Sequence, residues 1–181
     1  MMRLSGTIQW VLVLSAASQF TGCSKSSSDA GKPSGPPAQL AASMFLNAAP
    51  ADAKEVGAAK RDAAEGTTVS LHGRIGGRKD PFVSGRAIFT LADMSMPQCS
   101  DNPEDSCETP WDYCCEPIDK ITTNTVTIRV LDANGQVVTG DLNGVSGIRP
   151  AAEVFVQGKV SQESSDKNLV VDATAFYIKP G

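Results

Sequence analysis

Cys99, Cys107, Cys114 and Cys115 crowd into one short segment of the chain. Thiols so close in sequence have two common fates: pairing as disulfides in an oxidising compartment, or losing their protons to hold a metal ion. Cys23 aside, they are even in number, which favours disulfides, and adjacent cysteines rarely bridge each other because the bond strains the peptide between them. Two connectivities survive, Cys99–Cys114 with Cys107–Cys115 or Cys99–Cys115 with Cys107–Cys114. Either would knot the segment into a compact loop by limiting its unfolded states, and such a knot is the expectation. The alternative is a zinc or copper site on the same four sulfurs, with Met94 and Met96 as soft neighbours. Against it, no Cys-x-x-Cys pair is present, so the usual zinc spacing and the usual device for depressing a thiol pKa are both missing. No cofactor is therefore expected.

The same segment is acidic. Between Cys99 and Asp119 there are seven carboxylates (Asp101, Glu104, Asp105, Glu108, Asp112, Glu116, Asp119) and no Lys or Arg. Solvation of an exposed loop accounts for such a run, and the spacing of a calcium-binding EF-hand is absent. Trp111 and Tyr113 lie within it, either as packing for the knot or as a contact surface. Arg74, Arg78, Lys79 and Arg86 form a basic group upstream, but a reader of single-stranded nucleic acid would add stacking aromatics, and Phe89 shares its strand face with Ala87 and Leu91. No nucleic-acid partner is expected. His72 is the only histidine, and no nucleophile elbow, phosphate loop or HExxH motif appears, so no catalytic residue is assigned and the chain is expected not to be an enzyme.

These residues need elements to hold them. Val69, Leu71, Gly73 and Ile75 alternate with Ser70, His72 and Arg74, the period of a half-buried strand. Four further strands are expected over 87–91, 125–130, 153–160 and 169–178, with a helical turn in the Gly-rich stretch 139–150. Upstream, Asp52 and Glu55 have the spacing of a capping box, and Val56, Ala59 and Ala63 recur at helical spacing, which predicts a short helix over 53–65 with Gly66 past its end. The expected fold class is all-β: a five-stranded barrel with a short N-terminal helix and a long Cys-rich loop between strands 2 and 3. The positions Val69-x-Leu71-x-Gly73-x-Ile75, Gly85-Arg86-Ala87-x-Phe89-x-Leu91-x-Asp93 and Val154-x-Val156-x-Gly158-x-Val160 resemble small OB-fold domains of the nucleic-acid-binding type. That resemblance implies an OB-like barrel and leaves the ligand open. The pairing of Gly73–Gly77 with Pro110–Cys115 also resembles uncharacterised bacterial secreted proteins and lipoproteins that join such a strand end to a Pro-Trp-Asp-Tyr-Cys-Cys loop.

The N-terminus speaks to compartment. Arg3 followed by the apolar run from Trp10 to Leu14 is too short to span a bilayer and reads as an export signal over residues 1–22. Phe20-Thr21-Gly22-Cys23 resembles the bacterial lipobox, with Phe20 where that family usually has leucine; the resemblance implies a lipidated Cys23 as mature N-terminus. Residues 23–50, rich in Ser, Gly and Pro at their start, are expected to form a disordered tether, and 51–181 the domain. The formal charge of −4 becomes more negative once Arg3 is removed, which again disfavours nucleic acid. The functional expectation is a lipoprotein facing the periplasm or exterior, anchored by lipid to the cell membrane or outer membrane. Its domain would bind an envelope protein or small ligand through Trp111, Tyr113 and the loop acids, with Arg78 and Lys79 as a second edge. The rival expectation is extracytoplasmic metal binding through Cys99, Cys107, Cys114 and Cys115.

Overall fold

A computed structural model describes residues 35–102, 104 and 107–181. The export signal, Cys23 and the first part of the tether lie outside the described residues. The five expected strands form within a residue or so of their expected limits: β2 (Thr68–Ile75), β3 (Ile88–Ala92), β4 (Thr125–Arg129), β5 (Glu153–Val160) and β6 (Val170–Ile178), preceded by a two-residue strand β1 (Lys54–Glu55). β2 is antiparallel to both β3 and β5, β3 to β4, and β5 to β6, while β4 and β6 run parallel. The ladder therefore closes in the order β2-β3-β4-β6-β5 and back to β2, a five-stranded OB-like barrel. Closure pairs strand edges that would otherwise be exposed.

Alternation fills the interior. Leu71, Ile75, Phe89, Leu91, Val126, Ile128, Val154 and Val156 are buried in one cluster. Phe89 and Phe176 tilt against each other at 6.2 Å between centroids, and Phe45 extends the series to Phe176 at 6.1 Å. On β6 the inward face changes partway: Ala173 opposes Gly158, but Ala175 opposes Gln157 and Phe176 opposes Val156. Thr174 is the extra residue of a bulge, and this step turns Phe176 into the core after Val171 and Ala173.

Three local expectations are corrected. The helix, α1, spans Val56–Asp62 rather than 53–65, and the Asp52–Glu55 capping box does not form, since Lys54 and Glu55 instead pair in parallel with Leu71 and His72. A long-range cap replaces the local one: the Gly57 N–H donates to the buried Asp93 carboxylate at 2.6 Å. Residues 35–50, assigned above to the tether, lie along the barrel, where Ala38 is buried and Leu40, Met44 and Phe45 pack on the core. The Gly35 N–H donates to Asp141 and the Leu46 N–H to the Phe176 carbonyl. Apolar side chains spaced through a small-residue tract suffice to dock it. A second helix, α2 (Ile118–Thr123), was not expected from the sequence; Lys60 Nζ fastens it by donating to the carbonyls of Thr122 at 2.6 Å, Thr125 at 3.1 Å and Lys167 at 3.0 Å. The helical turn of the Gly-rich stretch is the 3-10 turn Val145–Gly147.

Asp93 also receives the Ser95 hydroxyl at 2.6 Å and the Ser95 N–H at 2.9 Å. Burial works against its charge, but the Ser95 and Gly57 donors, with Arg61, outweigh that and hold the carboxyl below its ordinary pKa. Its contribution is thus present above the unfolded carboxyl value of about 3.9 and is lost as pH falls through the lower folded value. Asp93→Ala should cost about 2–4 kcal/mol in urea denaturation at neutral pH. The variant should also lose less stability than the parent as the pH drops below about 4. An unchanged midpoint would remove Asp93 as the cap that joins α1 to the barrel.

Candidate metal centre

The cysteine loop leaves the barrel after β3 and returns through α2 to β4. Two contacts hold it against the end of β2. The Gly77 N–H donates to the Trp111 carbonyl at 2.8 Å. A Cβ at Gly76 would stand 2.5 Å from that same oxygen and 3.1 Å from Tyr113 Cε2, so only glycine permits the approach. The two segments whose pairing marks the sequence, Gly73–Gly77 and Pro110–Cys115, are therefore packed on each other.

Tyr113 is the pin of the loop. It is 1% exposed and forms a small second core with Ala92, Met96 and Ile121. This corrects its assignment to a contact surface, because a buried ring presents nothing to a partner. Trp111 is half-buried, and its indole N–H donates to the Lys79 carbonyl at 3.0 Å, drawing the first connection, with Arg78 and Lys79 exposed, beside the loop. Met96 likewise serves packing, which removes it as a copper ligand.

Cys99, Cys107, Cys114 and Cys115 form no disulfide in the structure, so neither of the two expected pairings is seen. An aromatic pin at Tyr113 and the close approach at Gly76 and Gly77 hold the loop through packing and backbone contact. What forms instead is a convergence. One donor atom each from Cys99, Cys107, Asp112 and Cys114 lies within 4.8 Å of every other, the one such group of metal-binding side chains among the described residues. Cys99 is buried at the start of a 3-10 turn, and its N–H donates to the Pro110 carbonyl at 3.2 Å. Cys107 is half-buried and Cys114 exposed. Cys115, expected in the set, lies outside it and is exposed; Asp112 takes its place.

Backbone conformation explains how Asp112 and Cys114 reach one point although Tyr113 separates them. Tyr113 has φ of 57°, in the left-handed region that a side chain rarely adopts. Such strain concentrates where function requires a particular geometry. The turn is closed by the Cys114 N–H donating to Asp112 Oδ1 at 2.9 Å, and the Thr109 hydroxyl donates to Asp112 Oδ2 at 2.8 Å. These bonds orient the carboxylate as outer-shell partners orient metal ligands. Hydrogen bonding to Asp112, with burial and the Cys115 and Cys107 thiols adding, pushes the Cys114 thiol well above its ordinary pKa. A cation coordinated among these donors would reverse that preference, since coordination deprotonates a thiol.

The other candidates separate from this centre. Asp101 closes its own turn by accepting the Gln98 N–H at 2.8 Å, and Glu116 pairs with Lys120 at 2.7 Å, so these loop acids act singly. His72 is spanned by carboxylates, with Nδ1 2.9 Å from Glu55 Oε1 and Nε2 2.9 Å from Glu153 Oε1, and it stacks on Phe155 at 4.2 Å. Both ring nitrogens are engaged in tying β1 to β5 across β2. Asp112 is the functional residue that sequence reading missed. It was counted among seven solvated acids, although its place two residues before Cys114 was visible. Comparison with protein-family models, curated proteins and solved structures found no match to this chain.

Proposed function

We propose that this chain is an exported metal-binding protein whose OB-like barrel carries a zinc site made by Cys99, Cys107, Cys114 and Asp112. One observation carries the reading: four donor atoms along the 99–114 loop converge within 4.8 Å of one another. Zinc bound to thiolates at about 2.3 Å needs ligands about 3.8 Å apart in a tetrahedron, so a contraction of roughly 1 Å at most would close the shell. Three sulfurs and one oxygen suit zinc, a borderline ion that takes both, better than copper(I), which favours sulfur alone. Burial of Met96 supports the same choice. Four protein donors would leave no open position, the mark of a structural or storage site rather than a hydrolytic one. Lipid anchoring through Cys23 at the envelope completes the proposal, supported by the Gly22-Cys23 sequence.

The recognition reading is the weaker one, since Tyr113 is buried and the Trp111 indole is bonded within the chain. Native mass spectrometry of the reduced full chain with added zinc, and alkylation of a parallel sample, tests the proposal. One retained zinc is expected, with Cys99, Cys107 and Cys114 shielded and Cys115 reactive. No retained metal, or two native disulfides in the loop, would overturn it.

A further inference from the structure

We infer that this site is gated by oxidation: a zinc ion and a disulfide between Cys107 and Cys114 are mutually exclusive occupants of the same thiols. The inference rests on the zinc reading above and deepens it by naming how the ion would leave.

Geometry sets the order of events. The three sulfurs lie within 4.8 Å of one another, whereas a disulfide needs about 2.05 Å. Closing that gap takes rotation of two side chains and a short movement of the loop. Exposure is graded: Cys114 is open to solvent, Cys107 half-buried and Cys99 buried. A dissolved oxidant therefore meets Cys114 first, and Cys107 is the next sulfur outward. Cys99, the buried member, is the last to be reached. Cys115 is also exposed, but a bond between neighbours in sequence strains their shared peptide, so it is a poor second partner for Cys114. Anchoring by Tyr113 is independent of the sulfurs, which lets the loop keep its seat in either state.

The chemistry closes with a small-molecule disulfide, RSSR, as oxidant. The zinc-bound Cys114 thiolate attacks one sulfur of RSSR, the S–S bond of the oxidant breaks, and RS⁻ leaves to take a proton. The Cys107 thiolate then attacks the Cys114 sulfur of this mixed disulfide and expels the second RS⁻, which also takes a proton. Two thiolates, one RSSR and two protons thus give one protein disulfide and two RSH; the protein loses two electrons and the oxidant gains them. With two of its four donors consumed, zinc is released. A thiol reductant reverses both steps.

The test uses the zinc-loaded full chain and oxidised glutathione as the probe. A chromophoric chelator reads free zinc, and peptide mapping reads the bond formed. The expected result is release of the full zinc equivalent in step with one Cys107–Cys114 disulfide, rebinding after reduction, and the same behaviour in Cys115→Ser. Cys107→Ser, if it still takes up zinc, should stop at a glutathione adduct on Cys114. Zinc that stays bound through complete oxidant treatment, or release accompanied by a bond involving Cys99 or Cys115, would overturn the gate while leaving the zinc site standing. A reduced chain that takes up no zinc would overturn both.

Discussion

Cys99→Ser should weaken zinc binding by at least ~100-fold and leave the melting of the metal-free barrel within about 2 °C of the parent. The floor comes from changes that merely disturb groups orienting a ligand, which already cost about 10–100-fold in affinity; loss of a ligand itself should cost more. Serine keeps the shape at position 99, but its hydroxyl is harder than sulfur and does not give up its proton as a coordinated thiol does. Cys99 is the informative choice because it is the buried member of the set and so has no solvent route by which another donor could replace it. It also stands apart from the apolar cluster of the barrel and from the small core around Tyr113, so its loss removes a ligand and little packing. The comparison that matters is Cys115→Ser, which should leave the affinity within about twofold, since the Cys115 sulfur falls outside the converging set. Competition with a chromophoric chelator measures both. Equal losses at 99 and 115 would mean that the ion sits on the four cysteines and that Asp112 is a bystander.

That contrast marks where sequence reading ran out. Barrel strands were legible because each is a run of alternating side chains, and alternation such as Val69, Leu71, Gly73 and Ile75 reports a local geometry that holds whatever the rest of the chain does. The loop followed no period. Its cysteines could be counted, and their even number suggested pairs, but whether sulfurs pair or converge depends on what else orders the loop. Here that is Tyr113 packed beside Met96 within the loop, and the bare backbone at Gly76 and Gly77 against Trp111, a contact between segments more than 30 residues apart. Asp112 became a candidate ligand only once Tyr113 adopted a positive φ, which no pattern in the sequence announces. The helix start failed for the same kind of reason: the local box of Asp52 and Glu55 was outcompeted by Asp93, a buried carboxylate from the end of another strand. Residues 35–50 mislead by composition, because a few apolar side chains among small ones are enough to dock a segment on an existing surface.

The barrel itself should be most vulnerable at Gly158, where alanine is expected to cost 3 kcal/mol or more, approximately the upper end of ordinary overpacking. A Cβ there would lie 2.5 Å from the Asp172 carbonyl oxygen, 2.8 Å from Val171 Cγ1 and 3.0 Å from Ala173 Cα. Two of those atoms belong to the backbone of β6, so no rotamer change relieves the clash. Nor can the strands splay apart, since β5 is bonded to β2 on one side and to β6 on the other, and β6 is paired in turn with β4. The site lies at the bulge that turns Phe176 into the core, so a shift of β6 there would also disturb the ring packing of Phe176 on Phe89. Gly85 supplies the control. It has φ of +69°, yet nothing lies within 4 Å of where its Cβ would be, so Gly85→Ala tests conformational cost alone and should lose only about 1–2 kcal/mol. Urea denaturation of both variants, monitored by circular dichroism, separates the two effects. If Gly158→Ala proved no worse than Gly85→Ala, the close approach of β5 and β6 at the bulge would not hold in solution, and the face on which Phe176 points would have to be reassigned.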